Sequence, residues 1–222
     1  MSDRKPVSGH IIAVFDLDGT LTKGLSVEQF FMLYLLKTRK IGIAGLLSTV
    51  AYWAGNVLKD PLEARQKNKR YLKGKRLGEV ETWIDEFFIA NDKIIFSPDI
   101  VDIASRHKQS LHTSILITGS PSILVAKLPL NGLFDYVYST ALETSLNVFT
   151  GKVSGPHYYG ELKEHLVKQL ACELNASLEQ SFCYANSGED IPMLSLFGNP
   201  VAVHPDKGLR KYAQDHDWQV IK

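Results

Sequence analysis

The pattern of apolar and polar positions divides the chain into a short strand, a long helical block and a region of alternating strands and helices. Residues 11–15 are continuously apolar, which is typical of a parallel strand buried on both faces. From about residue 26 to residue 91 the apolar positions follow a helical period, and no convincing strand interrupts them. From Pro98 onward, short apolar runs alternate with amphipathic segments. The pattern predicts an α/β fold with a helical insertion.

The alternating region predicts a doubly wound, Rossmann-like parallel sheet with helices on its faces. The predicted strands are residues 114–118, 136–139, 181–184, 200–203 and 218–221. The predicted helices are residues 121–128 and 160–175, one that begins near Asp190, and 206–215, with a small hairpin at 146–153. We expect a core of residues 1–22 and 93–222 and an all-helical cap of residues 23–92.

Composition and charge restrict the class of protein. The chain is 45% hydrophobic and 22% charged, which is typical of a folded domain and excludes collagen, a disordered tail and a coiled coil. The net charge of +1 provides no field that would draw the protein onto nucleic acid. Cys172 and Cys183 form no CxxC pair and support neither a disulfide framework nor a zinc site. Residues 1–10 are polar and do not form a secretory signal, so we expect a cytoplasmic protein.

Two carboxylates follow the first predicted strand directly. Asp16 and Asp18 flank one residue, so an extended backbone places both side chains on one side, where they can share a cation. Gly19 then allows the chain to turn away. One carboxylate can attack an electrophile while the other, partly protonated because of its neighbour's charge, transfers protons. The alternative is an Asx-rich turn that only caps a helix.

Further polar groups follow the other predicted strands, where ligands bind in sheets of this kind. Thr118 ends one strand, and Gly119 and Ser120 add backbone N–H groups that suit phosphate oxygens. Lys163 lies early in a predicted helix and could reach the same crevice, although a solvated lysine is the alternative. Asn186 and Asp190 follow another strand, and helix capping by Asp190 is the alternative there.

Four segments in order resemble the motifs of one family. They are FDLDGTL, LITGS, a Gly-x-x-Lys helix start and YANSGEDIPML. This series closely resembles the haloacid dehalogenase-like hydrolase superfamily, and within it subfamily IB, the branch that contains phosphoserine phosphatase. The resemblance covers nearly the whole chain. It implies a Rossmann-like core with a helical cap of the C1 type between the first two motifs.

The resemblance also implies a two-step phosphoryl transfer from a small phosphorylated metabolite. Asp16 would attack phosphorus and form an aspartyl-phosphate, while Asp18 would protonate the leaving oxygen and then deprotonate water. The residues expected to bind the phosphoryl group are Leu17, Thr118, Gly119 and Lys163. The ligands expected for Mg²⁺ are the Asp16 carboxylate, the Asp18 main-chain carbonyl, Asn186 and Asp190.

Three positions depart from the family pattern. The family usually has Asp where this chain has Asn186, and Gly where it has Ala185. Because one negative charge is lost, we expect weaker magnesium binding, with Asp190 compensating in part. Phosphoserine phosphatases carry Glu nine residues after the nucleophile, where this chain has Leu25. We therefore do not expect phosphoserine itself to be the substrate.

An uncharged stretch and a basic run lie within the helical block. Residues 41–58 contain no charge and have about the minimum length of a bilayer span, but their Gly and polar residues favour a buried cap helix or hairpin over interfacial membrane contact. The basic residues that follow are Arg65, Lys67, Lys69, Arg70, Lys73, Lys75 and Arg76. Four of them recur at helical spacing, which predicts a solvated face or a face that docks on anionic lipid.

Three alternatives to a cytoplasmic metabolite phosphatase remain open. The first is a lipid phosphatase, acting on a lipid such as phosphatidylglycerophosphate and bound peripherally at the inner face of the membrane. The second is a weakly active phosphate-binding regulatory module, and the third is phosphotransfer to an acceptor other than water. The histidines show no metal-ligand spacing, although His157 and Tyr158 are placed to line the pocket. Trp53 and Trp83 are predicted to belong to the cap core. The sequence does not predict an oligomeric state.

Overall fold

The centre of the fold is a mostly parallel β-sheet. The computed structural model describes residues 9–42, 47, 51, 69–130 and 132–222. The strands are β1 (Ile12–Phe15), β2 (Thr113–Pro121), β3 (Tyr136–Ser145), β4 (Val148–Ser154), β5 (Phe182–Ala185), β6 (Asn199–Val203) and β7 (Gln219–Ile221). Their order is β4-β3-β2-β1-β5-β6-β7, and every neighbouring pair is parallel except β3 and β4. This arrangement confirms the predicted α/β sheet. The small hairpin predicted at residues 146–153 is instead the second arm of a longer hairpin, in which β4 pairs antiparallel with β3.

The helices connect the strands and form part of the insertion. They are α1 (Val27–Lys37), α2 (Leu77–Ile95), α3 (Pro98–Gln109), α4 (Ser122–Val125), α5 (Glu161–Glu173), α6 (Ile191–Leu194) and α7 (Lys207–Asp215). A capping box begins α1, because the Ser26 and Gln29 side chains each accept a hydrogen bond from the other's backbone N–H. The helix predicted at residues 121–128 is only four residues long, since β2 continues to Pro121.

Two buried apolar clusters cover the two faces of the sheet. One joins Phe15 of β1 to Phe31 of α1 and to Ile84 and Phe87 of α2. The other packs the opposite face against α5, α6 and α7. The first cluster is continuous from the sheet to the inserted helices, so burial of apolar surface, at about 25 cal/mol per Å², holds the insertion against the core. Trp83 is buried in this cluster, as predicted, whereas Trp53 lies outside the described residues.

The chain leaves and re-enters the sheet region at neighbouring points. Thr22 forms an antiparallel bridge with Phe96, and the Ser97 N–H donates to the Leu21 carbonyl over 2.8 Å. Helix α2 runs on to Ile95, so it continues past residue 92. The division into a core and a cap at residues 22 and 93 stays a prediction.

The described part of the basic run, residues 69–76, does not form the helical face that its spacing predicts. The edge segment, residues 69–77, contains a single 3₁₀ turn at Arg70–Leu72 and lies antiparallel along β4. Backbone N–H groups of Lys69, Gly74 and Leu77 donate to carbonyls of β4 or of the turn before it, and Phe149 donates back to Lys75. An unpaired strand edge offers donors and acceptors that bind this backbone, which explains why a helix does not form here.

Lys69 of the edge segment is also not solvated, because it is only 4% exposed. Arg65, Lys67 and most of residues 41–58 lie outside the described residues. Among the described helices, none combines the length and apolar character that crossing a bilayer requires.

His107, at the end of α3, is expected to make the fold sensitive to mild acid. Its ring contacts His112 and the Tyr184 hydroxyl, each over 2.8 Å. Burial, with smaller contributions from the charges of His112 and Arg106, lowers the pKa of His107 to about 4. The unfolded chain therefore binds a proton near pH 6.5 that the folded chain binds only near pH 4, so stability is lost as pH falls through this window.

The loss between pH 7 and pH 4.5 should be on the order of 2 kcal/mol for this residue. Urea unfolding at pH 7 and pH 4.5 measures it. His107→Gln keeps a donor and an acceptor but does not titrate, so its stability should fall less between the two pH values. An equal fall in both proteins would contradict the assignment.

Candidate active site

The pair of aspartates lies where β1 ends, at the carboxyl edge of the parallel strands. The Asp16 N–H donates to the Tyr184 carbonyl of β5 over 2.9 Å, and a wide turn over Leu17–Leu21 follows. Gly19 in this turn has a φ of +81°, and a Cβ atom there would lie 2.0 Å from the Asn186 side-chain nitrogen. Glycine is thus required both for the turn and for the approach of Asn186.

Asp16 belongs to a buried cluster with Lys163 and Asp190. The Lys163 ammonium donates to Asp16 Oδ1 over 2.6 Å and lies 2.9 Å from Asp190 Oδ1. The three residues are only 5%, 3% and 4% exposed, respectively. Lys163 is therefore not the solvated lysine of the alternative interpretation. The Asp190 side chain forms no helix cap, and the Ser187 hydroxyl caps the Gly188–Asp190 turn instead.

The buried cluster contains more acidic groups than basic ones. Burial is the main cause that raises the pKa of Asp16, to about 7, and the neighbouring Asp190 and Asp18 act in the same direction while Lys163 opposes them. Burial alone would lower the pKa of Lys163, but the two carboxylates raise it above its usual value, so this side chain is an ammonium. Three carboxylates thus face one ammonium in a buried site, an arrangement that a bound cation would stabilise.

Asp18 is held by two hydrogen bonds from different parts of the chain. The Val27 N–H at the start of α1 donates to Asp18 Oδ1 over 2.8 Å, and the Ser120 hydroxyl donates to Oδ2 over 2.6 Å. Burial raises the pKa of Asp18, and these two hydrogen bonds oppose the rise. The carboxyl group is therefore fixed in orientation between the end of β2 and the first inserted helix.

The predicted phosphate-binding residues differ in whether they reach the cavity surface. Gly119 lines the cavity described below, and a Cβ atom at this position would lie 3.1 Å from Cε1 of His157. Thr118 and Leu17 are completely buried beside it, and Thr118 Oγ1 accepts a hydrogen bond from the Ser120 N–H over 3.0 Å. The Thr118 hydroxyl proton is therefore not committed to Ser120.

A cavity of about 370 Å³ brings most of these residues together, and its volume is within the range of small-molecule sites. Thr118 and Leu17 are not part of its lining. Its floor comes from the strand ends, the turns that follow them and the first turn of α5: Asp16, Asp18, Gly119, Ser120, Lys163, Asn186, Ser187 and Asp190. Its wall comes from the insertion and from one core loop: Ser26, Glu28, Gln29, Met32, Lys69, Tyr71, His157 and Tyr159.

Sequence reasoning missed most of this wall. It placed His157 at the pocket, which is confirmed, but it paired His157 with Tyr158. The structure instead places Tyr159 in the wall, since Tyr158 packs against Tyr138 at a ring distance of 5.9 Å. Glu28 and Lys69 are distant in sequence, and the basic run that contains Lys69 predicted a solvated or lipid-docking face, so their pairing was not predicted.

The oxygen-rich floor fits a hard divalent cation. No group of three or more His, Cys, Asp or Glu side chains in the described ranges forms a metal site by itself. The predicted ligand set differs, because it combines the carboxylates of Asp16 and Asp190 with the Asn186 amide and a main-chain carbonyl of Asp18. All of these donors are oxygens, which Mg²⁺ prefers, and the excess of negative charge beside Asp16 favours a cation at this place.

Comparison with known proteins agrees with this geometry. Residues 13–195 match the haloacid dehalogenase-like hydrolase family. The chain belongs to this family. The matched residues include both aspartates, Lys163 and the Asn186 region, so the family match covers every predicted site residue.

Relatives of this hydrolase include proteins with phosphatase names. Phosphoserine phosphatase SerB1 of Mycobacterium tuberculosis is 27% identical over 99% of this chain and 73% of its own length. A probable phosphatase of the same organism is 24% identical over 94% of this chain and 74% of its own. Together with the family match, they confirm the prediction that the hydrolase is a phosphatase.

Solved structures support the fold. A protein of unknown function from Bordetella pertussis Tohama I has a TM-score of 0.81 and 24% identity, covering 96% of this chain and 99% of its own. An apo phosphoserine phosphatase has a TM-score of 0.68 and 18% identity, covering 96% and 93% of the two chains. Both share the mostly parallel sheet with this hydrolase.

Proposed function

We propose that this hydrolase is a Mg²⁺-dependent phosphomonoesterase that acts on a small phosphorylated metabolite through an aspartyl-phosphate. The observation that carries the proposal is the buried contact of Asp16 with Lys163, on the floor of a cavity that Asp18 also lines. A carboxylate beside an ammonium and a second, separately held carboxyl group form the minimum set for nucleophilic attack with proton transfer.

The proposed reaction has two steps. Asp16 Oδ attacks phosphorus, and the bond from phosphorus to the ester oxygen breaks while Asp18 gives that oxygen a proton. Asp18, now a carboxylate, then takes a proton from water as the water oxygen attacks phosphorus, which releases phosphate and regenerates Asp16. Lys163 and the Gly119 N–H stabilise the charge on the phosphoryl oxygens. Thr118, buried next to Gly119, helps to hold this turn through its hydrogen bond with the Ser120 N–H.

The residues that would hold Mg²⁺ are Asp16, Asn186 and the main-chain carbonyl of Asp18, with Asp190 beside them. When bound, the ion would neutralise charge on the phosphoryl group and on Asp16. Asp190 contacts Lys163 and so orients the ammonium toward Asp16. A cytoplasmic metabolite is favoured over a lipid because Lys69, one of the basic residues on which the lipid interpretation depended, lines the cavity.

The direct test is phosphate release from p-nitrophenyl phosphate by the purified chain. We expect turnover with Mg²⁺ and loss of turnover with a chelator. A protein that binds phosphate but gives no turnover under any divalent cation would instead indicate the regulatory module. Added alcohols that divert the phosphoryl group from water would indicate phosphotransfer.

Asn186→Asp is expected to tighten magnesium binding. The substitution restores a carboxylate at the point where the amide lies against Gly19, and a charged oxygen ligand binds Mg²⁺ more strongly than a neutral one. The Mg²⁺ concentration for half-maximal activity should fall about 10-fold.

Asn147→Asp is the matched control, because Asn147 is exposed in the turn between β3 and β4. This control should keep the magnesium requirement of the unaltered protein. A higher Mg²⁺ concentration for half-maximal activity in the Asn186→Asp variant would contradict the proposed position of the ion.

A further inference from the structure

Three residues of the insertion form a hydrogen-bonded group in the cavity wall. The Lys69 ammonium forms an ion pair with Glu28 Oε2, and the Tyr71 hydroxyl donates to Glu28 Oε1 over 3.0 Å. We call Glu28, Lys69 and Tyr71 the wall triad. All three line the same cavity as Asp16, so they face the part of a substrate that is not the transferred phosphoryl group.

The wall triad is held in a fixed position relative to the floor. Glu28 lies in the first turn of α1, next to Val27, whose N–H binds Asp18. The Lys69 N–H donates to the Gly151 carbonyl of β4, which fixes the other side of the triad to the sheet. A substrate that reaches from Asp16 to the wall therefore meets groups whose positions are set in advance.

The charges of the wall triad cancel. The side chains of Lys69 and Glu28 are only 5% and 19% exposed, and each neutralises the other. Burial and the Glu28 charge raise the pKa of Tyr71 well above its usual value, so the phenol remains neutral. A leaving-group ammonium would be attracted by Glu28 but repelled by Lys69, and the reverse holds for a carboxylate. A single charge of either sign therefore gains little net attraction from the neutral pair, while it loses its hydration at low solvent exposure.

A hydroxyl group fits the triad without this cost. It can donate to a carboxylate oxygen of Glu28 and accept from the Lys69 ammonium, since a hydroxyl is both donor and acceptor and an ammonium has three donors. A leaving group without hydroxyls would displace water from the pair and replace none of its hydrogen bonds.

We propose that the wall triad selects substrates whose leaving group is an uncharged polyhydroxy alcohol, such as the monophosphates of polyols and sugars. This inference rests on the proposed phosphatase function and adds the chemical class of its substrate. Glu28, Lys69 and Tyr71 are specificity residues in it, and they take no part in bond breaking.

A panel of small phosphate esters tests the proposal with the unaltered protein. Glycerol phosphate carries two free hydroxyls, propyl phosphate carries none, phosphoglycerate adds a carboxylate, and phosphoethanolamine adds an ammonium. We expect kcat/KM for glycerol phosphate to exceed the value for each of the others at least about 10-fold, because buried polar groups that lose a partner discriminate strongly. A preference for any of the other esters would overturn the proposal.

Paired substitutions then assign the preference to the triad. Glu28→Gln with Lys69→Met removes both charges together, so no unpaired buried charge is left to destabilise the fold. The ratio of kcat/KM for glycerol phosphate over propyl phosphate should fall about 10-fold or more in this variant. Lys40→Met with Glu86→Gln is the matched control, because it removes a 2.6 Å ion pair of the insertion that does not line the cavity. The control should retain the full ratio.

The outcomes separate the inference from the function on which it rests. Turnover of p-nitrophenyl phosphate with no preference for glycerol phosphate, or with a preference that the triad variant retains, refutes the inference alone. If the triad variant fails to fold, as judged by thermal unfolding, the ester panel on the unaltered protein still decides. Absence of turnover on every ester, p-nitrophenyl phosphate included, refutes the proposed function and the inference with it.

Discussion

Asp16→Asn is expected to abolish phosphate release while the protein stays folded. The amide cannot attack phosphorus as a carboxylate does, so kcat with p-nitrophenyl phosphate should fall at least about 10³-fold. The fold should tolerate the change because it removes one of three carboxylates that face a single ammonium, and Lys163 keeps its contact with Asp190. Steady-state kinetics and thermal unfolding measure the two expectations.

Asp102→Asn is the matched control for this substitution. Asp102 forms an exposed ion pair with Arg106 on α3, outside the cavity wall and floor. It should retain activity and nearly the same stability, since exposed pairs contribute about 1 kcal/mol or less. An Asp16→Asn protein with a tenth or more of the original activity would remove Asp16 from the role of nucleophile.

Asp18→Asn is expected to impair both steps, but unequally for different leaving groups. The geometry should survive, because the asparagine oxygen can accept from the Val27 N–H and its nitrogen can donate to the Ser120 hydroxyl. An alkyl oxygen needs a proton as it leaves, so kcat for an alkyl phosphate should fall about 10²- to 10⁴-fold. Nitrophenolate leaves without a proton, so the first step with p-nitrophenyl phosphate should be affected much less.

The second step gives this variant a distinctive signature. Water is no longer deprotonated by residue 18, so the phosphorylated chain should accumulate with p-nitrophenyl phosphate, seen as an added phosphoryl mass on the acid-quenched protein. The double variant Asp16→Asn with Asp18→Asn should carry no such mass. Equal losses for both esters, without accumulation, would rule out Asp18 as the acid and base.

The sheet was predictable wherever its strands are buried on both faces. The strand at β1 and those at β5 and β6 are short apolar runs, and their sequence identifies them directly. The long arms of β3 and β4 were less predictable because Thr140, Thr144 and other polar residues interrupt the apolar pattern. A small hairpin was predicted at residues 146–153 and a separate strand at residues 136–139, whereas the structure has one hairpin that turns at Leu146 and Asn147 and uses β3 as its first arm.

The floor of the site was predictable from the sequence, whereas its wall was not. Asp16 and Asn186 each follow a buried strand directly, and Thr118 lies near the carboxyl end of another, so parallel strands carry all three to one edge of the sheet. The wall depends on how Glu28 and Lys69 meet across the insertion, and no local pattern records that contact. The helical spacing of Lys69 and Lys73 was misleading, because pairing with β4 determined the backbone of the edge segment.

The antiparallel pairing of the edge segment with β4 also has a consequence for solubility. A bare outer strand invites pairing with other chains and is a common start of aggregation. Here the backbone that presents Lys69 and Tyr71 to the cavity covers the outer edge of β4. The Gly74 N–H donates to the Phe149 carbonyl of β4, and the Leu77 N–H donates to the Asn147 carbonyl in the turn before it. The stretch of chain that lines the cavity therefore also blocks intermolecular β-pairing along β4.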